Sequence, residues 1–226
     1  MEVILREKPK AKILIEGFPG FGLVGTIVTE YLLEHLDFKQ IGEISFDDLP
    51  ATVAIHKGKL VHPMGIFYSK TFNVVVLHAI LDIKGFEWRI VDAIFEIKKQ
   101  LGIKEILSIE GVASNGGEDI FCFNNKKLQK IGAKLVDESV IMGVTAALLL
   151  KDSAIGCLFA ETHSNIPDSR AAARIIGILD KYVNFNLDTK PLMMQAEIFE
   201  SKVKDILQKT KKTVSEADKK QMSYLG

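Results

Sequence analysis

The hydrophobic and polar positions along the chain change period several times. Ala11–Glu16 (AKILIE) is a short, mostly apolar run that stops at glycine, as a strand buried on both faces does. Thr26–Leu36 then places Ile27, Tyr31, Leu32 and Leu33 as one face of a helix. From Ile41 onward the runs shorten. Ile41–Phe46, Gly65–Tyr68 and Asn73–Ile80 read as strands, and Thr52–His56 and Lys59–His62 flank Lys57-Gly58 as a hairpin. This stretch predicts a β meander.

Phe86–Leu101 returns to a period of roughly 3.6 through Trp88, Val91, Ile94, Phe95, Ile97 and Lys98, and Gly102 stops it. Glu105–Glu110 (EILSIE) is a second buried strand ending in glycine, and Ala113–Asp119 a loop. Leu128–Ile131 reads as a helical turn, Ala133–Val136 as a strand and Ile141–Leu150 as a buried helix. Ala154–Ala160 is a third internal strand, leading to a helix over Asp168–Tyr182 with Asp168 and Ser169 as caps. Asp188-Thr189 with Pro191 starts a further helix, expected to run to about Gln208. Residues 209–226 are polar and lysine-rich until their apolar tip, a flexible tail on a domain spanning residues 1–208. Three apolar strands thus enter Gly-rich or polar loops and then helices, and two of them end in the same tripeptide, Ile-Glu-Gly (15–17 and 109–111). The alternation predicts an α/β sandwich whose sheet is partly parallel, with an antiparallel portion from the meander.

The segment Ile15–Thr26 (IEGFPGFGLVGT) contains G-x-G-x-x-G at Gly20–Gly25. A dinucleotide site needs that turn directly between strand and helix, and an acid on the next parallel strand. Glu43 and Asp47 are the available acids, but Phe18-Pro19 intervene and the next strand opens a meander. A P-loop needs a lysine that this loop lacks. The steric reading is therefore favoured: Gly17, Pro19, Gly20, Gly22 and Gly25 shape a tight turn, while Phe18, Phe21, Leu23 and Val24 fill apolar space or present a contact surface. The helix N-terminus that follows leaves an anion site open as the alternative.

Composition changes this picture mainly by exclusion. The 226 residues, 47% hydrophobic, suffice for a substantial core. Lys+Arg and Asp+Glu balance at 29 each, so no basic field points to nucleic acid. The apolar stretches Phe72–Leu81 and Val140–Leu150 fall short of the roughly 20 residues a membrane span needs. No signal-peptide pattern opens the chain, and a soluble cytoplasmic protein with reduced Cys122 and Cys157 is expected. The histidines 35, 56, 62, 78 and 163 show no metal spacing, although His56 and His62 lie one hairpin apart. Glu161-Thr162-His163-Ser164 follows a strand end but has no nucleophile elbow, and reads as a polar loop. No catalytic group, metal or cofactor is expected. At the other end, Met222-Ser223-Tyr224-Leu225-Gly226 places an apolar, aromatic tip on a soluble leash, suited to entering a partner's pocket.

Together, Gly17–Gly25 (GFPGFGLVG), Asp48–Tyr68, Ile109–Ser114 (IEGVAS), Ile166–Ile176 (IPDSRAAARII) and Leu187–Glu200 resemble the proteasome assembly chaperone family, in its archaeal branch. The resemblance implies a three-layer α/β/α sandwich with a mixed sheet, like that of nucleoside phosphorylases, and no established catalysis. It implies a homo-oligomer, or a hetero-oligomer with a paralogue, that binds proteasome α subunits or the α ring. It also implies contact through a C-terminal hydrophobic–tyrosine–any-residue tail, here Met222, Tyr224, Leu225 and Gly226. In this sequence Leu225 is penultimate and Tyr224 precedes it, a one-residue shift worth up to roughly 3.5 Å along the chain. The alternative is an enzyme or small-ligand binder with a site at the strand-end loops Gly20–Gly25, Gly111–Asn115 and Glu161–Asn165.

Overall fold

In the computed structural model the apolar runs assemble into one mixed sheet. All residues are described except 47–52, 57–58, 81–82, 114–116, 163–165, 195 and 197–226. The strands are β1 (Glu2–Leu5), β2 (Ile13–Gly17), β3 (Lys39–Ser45), β4 (Ala54–His56), β5 (Lys59–Val61), β6 (Met64–Ser69), β7 (Val74–Ala79), β8 (Glu105–Ala113), β9 (Ile120–Phe123), β10 (Lys134–Leu135) and β11 (Gly156–Thr162). The helices are α1 (Val24–His35), α2 (Glu87–Leu101), α3 (Lys126–Lys130), α4 (Gly143–Lys151) and α5 (Ser169–Leu179). The main sheet has nine strands in the order β1-β3-β6-β7-β2-β8-β11-β9-β10, and β4 and β5 pair separately as the expected hairpin.

The centre of the sheet is parallel. β7, β2, β8 and β11 run side by side in one direction, with Ile15 opposite both Val76 and Leu107, and Leu158 opposite Ile109. The β3, β6 and β7 meander is antiparallel, as its short connections require. Alternation then assigns the two faces. Leu14, Val75, Leu77, Ile106, Cys157 and Phe159 join Ile90, Val91, Ile94 and Ile97 of α2 and Val144, Ala147 and Leu148 of α4 in one core cluster. On the other face α1 and α5 lie against each other and against β2, β7, β8 and β11. The fold is therefore a three-layer α/β/α sandwich, as the resemblance implied. In α2 the buried stripe runs through Ile90 rather than Trp88, which is 58% exposed. Likewise α4 is buried along one face only, since Leu150 is 75% exposed.

Two strands carry no sequence expectation. β1 pairs with β3 at the sheet edge, where Arg6 grips Glu43 through two bonds of 2.7 and 2.6 Å. β9 pairs antiparallel with β11. Chain contacts group Met1–Leu187 and Asp188–Gly226 as separate compact units, and the first contains the whole sheet. In the second, residues 190–194 and 196 are helical, and Lys190 N donates to Asp188 Oδ1 at the expected start. Among the described residues no helix is long and apolar enough to cross a membrane.

Candidate functional site

The carboxyl ends of β2, β8 and β11 meet the glycine loop, and there the backbones come unusually close. A Cβ on Gly17 would sit 2.2 Å from the Gly25 carbonyl oxygen, and one on Gly25 would sit 2.6 Å from that of Ile109. Both obstacles are backbone, so these two glycines let α1 start directly on top of the strands. The turn between them is a 3-10 turn, Phe21–Leu23, in which Gly22 adopts φ of 65° and packs on Thr162. Asp168 then locks the arrangement. Its Oδ1 accepts from Ala171 N and caps α5, its Oδ2 accepts from Thr162 Oγ1 at 2.7 Å, and its own N–H donates to Gly22 O. The loop is thus a three-way joint between β2, β11 and α5.

On the other side of the joint lies a cleft of about 470 Å³. Phe18, Pro19, Gly20 and Phe21 form one wall, Ile83, Lys84 and Glu87 another, and Met142–Thr145 a third. Glu16 and Glu110 lie at its base, brought together by register: Glu16 stands opposite Ser108, two residues before Glu110 on the same face of β8. Glu16 is only 1% exposed, and its Oε1 has no hydrogen-bond partner, nor has Glu110 Oε2. Burial raises the Glu16 pKa to about 8, against the Ser108 hydroxyl, which lowers it, while the Glu110 charge adds to the rise. Burial likewise lifts Glu110 to about 7, opposed by the Thr145 hydroxyl. Ser108 and Thr145 also bond each other at 2.8 Å. Cys157, on β11 beside Ser108, is held as a thiol by burial and by both carboxylates.

Gly17, Gly22 and Gly25 hold the joint, whereas Pro19 and Gly20 line the cleft. Glu43 cannot be a dinucleotide acid: β7 and β8, not β3, flank β2, and Arg6 holds its carboxylate. Asp47 lies outside the described residues, as do Asn115, His163–Asn165 and the tip residues Met222, Tyr224, Leu225 and Gly226. Thr162 serves Asp168, and Glu161 Oε2 accepts from Asp119 N. His56 stands in register with Lys59, not His62, whose Nε2 lies 3.4 Å from Glu43. His78 is buried against Thr29 Oγ1 at 2.9 Å, and desolvation lowers its pKa to about 4. Among the described residues no three His, Cys, Asp or Glu are grouped to hold a metal ion.

The carboxylate pair was not singled out among the sequence candidates. Its signal is the repeated Ile-Glu-Gly: an acid closing an apolar strand, twice.

This fold has known counterparts. The model of the PAC2 family matches residues 14–207. The chain belongs to the PAC2 family. With the likeness to an archaeal homolog of proteasome-assembly chaperone given below, this bears out the family resemblance read from Gly17–Gly25, Asp48–Tyr68, Ile109–Ser114, Ile166–Ile176 and Leu187–Glu200. An uncharacterized protein of Methanocaldococcus jannaschii is 29% identical over 223 residues, covering 94% of this chain and 92% of that one. The structure of Pyrococcus furiosus PbaA, an archaeal homolog of proteasome-assembly chaperone, is similar with a TM-score of 0.80 and 26% identity, over 91% of this chain and 95% of that one. Pyrococcus furiosus PbaB, an archaeal proteasome activator, shares the PAC2 fold with a TM-score of 0.75 at 19% identity, over 91% and 98% of the two chains.

Proposed function

We propose that this PAC2 protein is a non-enzymatic, proteasome assembly chaperone-like protein of the cytoplasm. It binds α subunits of the proteasome core particle and works as a homo-oligomer, or beside a paralogue. The observation that carries the reading is the match of the PAC2 family over residues 14–207, joined to the likeness with PbaA along nearly the whole chain. Contacts are assigned first to the C-terminal tip, Met222, Tyr224, Leu225 and Gly226. The exposed apolar side chains Leu135, Val140 and Leu150, of which Val140 is 88% exposed, are further candidates on the folded body.

The test is capture of cognate α subunits by the full chain and by a version lacking Met222–Gly226. Capture that needs those residues assigns the contact to the tip. Equal capture assigns it to the folded body. Failure of both versions would sink the reading. A second reading, a small-ligand binder at the strand ends, is favoured by one observation, the pair of buried acids facing the cleft.

A further inference from the structure

We propose that the cleft over β2 and β8 binds a small organic cation, an ammonium or amidinium group on an apolar body, with its charge seated on Glu16 and Glu110. The inference develops the ligand-binding reading and stands whether or not the chain captures a proteasome subunit.

The two acids have an unmet demand for donors. Glu16 is almost fully buried and Oε1 finds no hydrogen bond; Glu110 Oε2 repeats the pattern beside it. Buried acceptors without partners are rare because each forfeits its hydration. Two of them, on residues that line one cleft, specify what is missing: N–H donors, preferably charged. The hydroxyls of Ser108 and Thr145 are partly committed to each other.

The shape and lining of the cleft suit such a ligand. About 470 Å³ falls in the range of small-molecule sites. Phe18, Phe21, Ile83 and Val144 offer an apolar wall, and an aromatic face also attracts a cation. An anion would meet Glu16, Glu110 and Glu87 with only Lys84 to answer. A divalent ion asks for several oxygen ligands converging on one point, and among the described residues no three His, Cys, Asp or Glu are grouped to hold one.

The titratable groups around the pair are Lys84 and Glu87 on one wall and Cys157 on β11. With the cleft empty, burial keeps Glu16 largely protonated and Glu110 partly so near neutrality. A cation that pairs with them lowers their pKa values, so it enters as protons leave. Binding is therefore tighter at pH 8 than at pH 6.

The probe is phenethylammonium, with 2-phenylethanol as its neutral counterpart, titrated calorimetrically into the full chain. The expected result is ammonium binding with a dissociation constant of about 1 mM or tighter and at least tenfold weaker binding of the alcohol. Heats measured in phosphate and in Tris should differ, reporting proton release. Glu16→Gln and Glu110→Gln should each weaken the ammonium at least about tenfold without changing the far-ultraviolet spectrum. Gly20→Leu keeps both acids but fills the cleft, because the Gly20 Cβ position lies 3.5 Å from Glu110 Oε1 in ordinary extended backbone. It should abolish binding. Equal affinity for amine and alcohol, insensitivity to both glutamine variants, stabilisation by magnesium in place of the amine, or no binding at all would overturn the assignment. None of these outcomes touches the capture of α subunits, so the two readings fail separately.

Discussion

Glu16 is an acid in a strand where every residue is buried. Its raised pKa makes stability depend on pH in a direction opposite to that of ordinary paired carboxylates. The folded state keeps its proton up to about pH 8, whereas the unfolded chain releases it near 4.5. Unfolding therefore releases a proton between those values, and stability falls as pH rises through them. Glu110 adds the same trend up to about pH 7. His78 acts at the other end: its folded value near 4 lies below the ordinary 6.5, so stability falls as pH drops through that interval. The two trends oppose each other between pH 4.5 and 6.5, and the carboxylates alone act above it. Urea midpoints should decline from pH 6.5 to 8.5, and Glu16→Gln should remove most of that decline, a gain on the order of 2 kcal/mol at pH 8.5. A midpoint that stays flat over this interval in the parent chain would contradict the assigned burial. At this scale the sequence was only partly legible. Each Ile-Glu-Gly reads as an acid at a strand end, but that both acids share one cleft follows from the β2–β8 register, a pairing between segments about ninety residues apart.

At the scale of elements, the glycine joint decides whether α1 sits on the strands. Gly25→Ala drives a Cβ to 2.6 Å from a backbone oxygen that cannot step aside. A loss of about 2–4 kcal/mol is expected by urea denaturation. Gly20→Ala meets nothing closer than 3.5 Å and should stay within about 0.5 kcal/mol of the parent. Equal effects would mean that the joint is not the packing device described. The long periodic elements were readable because their burial is local in the sequence: α1, α2, α5 and the three parallel core strands appear close to their expected bounds. The strands β1 and β9 were not, because each spans four residues and is set by a distant partner, Glu2 opposite Ser45 and Cys157 opposite Phe123. The G-x-G-x-x-G spacing pointed to two different chemistries. What separates them is strand order, since the meander places β7 and not β3 beside β2.

At the scale of the whole molecule, an α/β/α sandwich carries the proposed contact function. Zero formal net charge leaves little repulsion against self-association, in keeping with an oligomer. Light scattering on the eluted protein should give at least twice the monomer mass, and Val140→Asp with Leu150→Asp should lower it toward one chain; a monomeric parent would remove the homo-oligomer from the proposal. The central claim is the partner. The measurement that reaches it most directly is co-elution of the purified full chain with free proteasome α subunits on a sizing column, at concentrations above about 1 μM. A shared earlier peak containing both proteins is the predicted result. Separate elution of the two, with both demonstrably folded, would contradict the chaperone-like role.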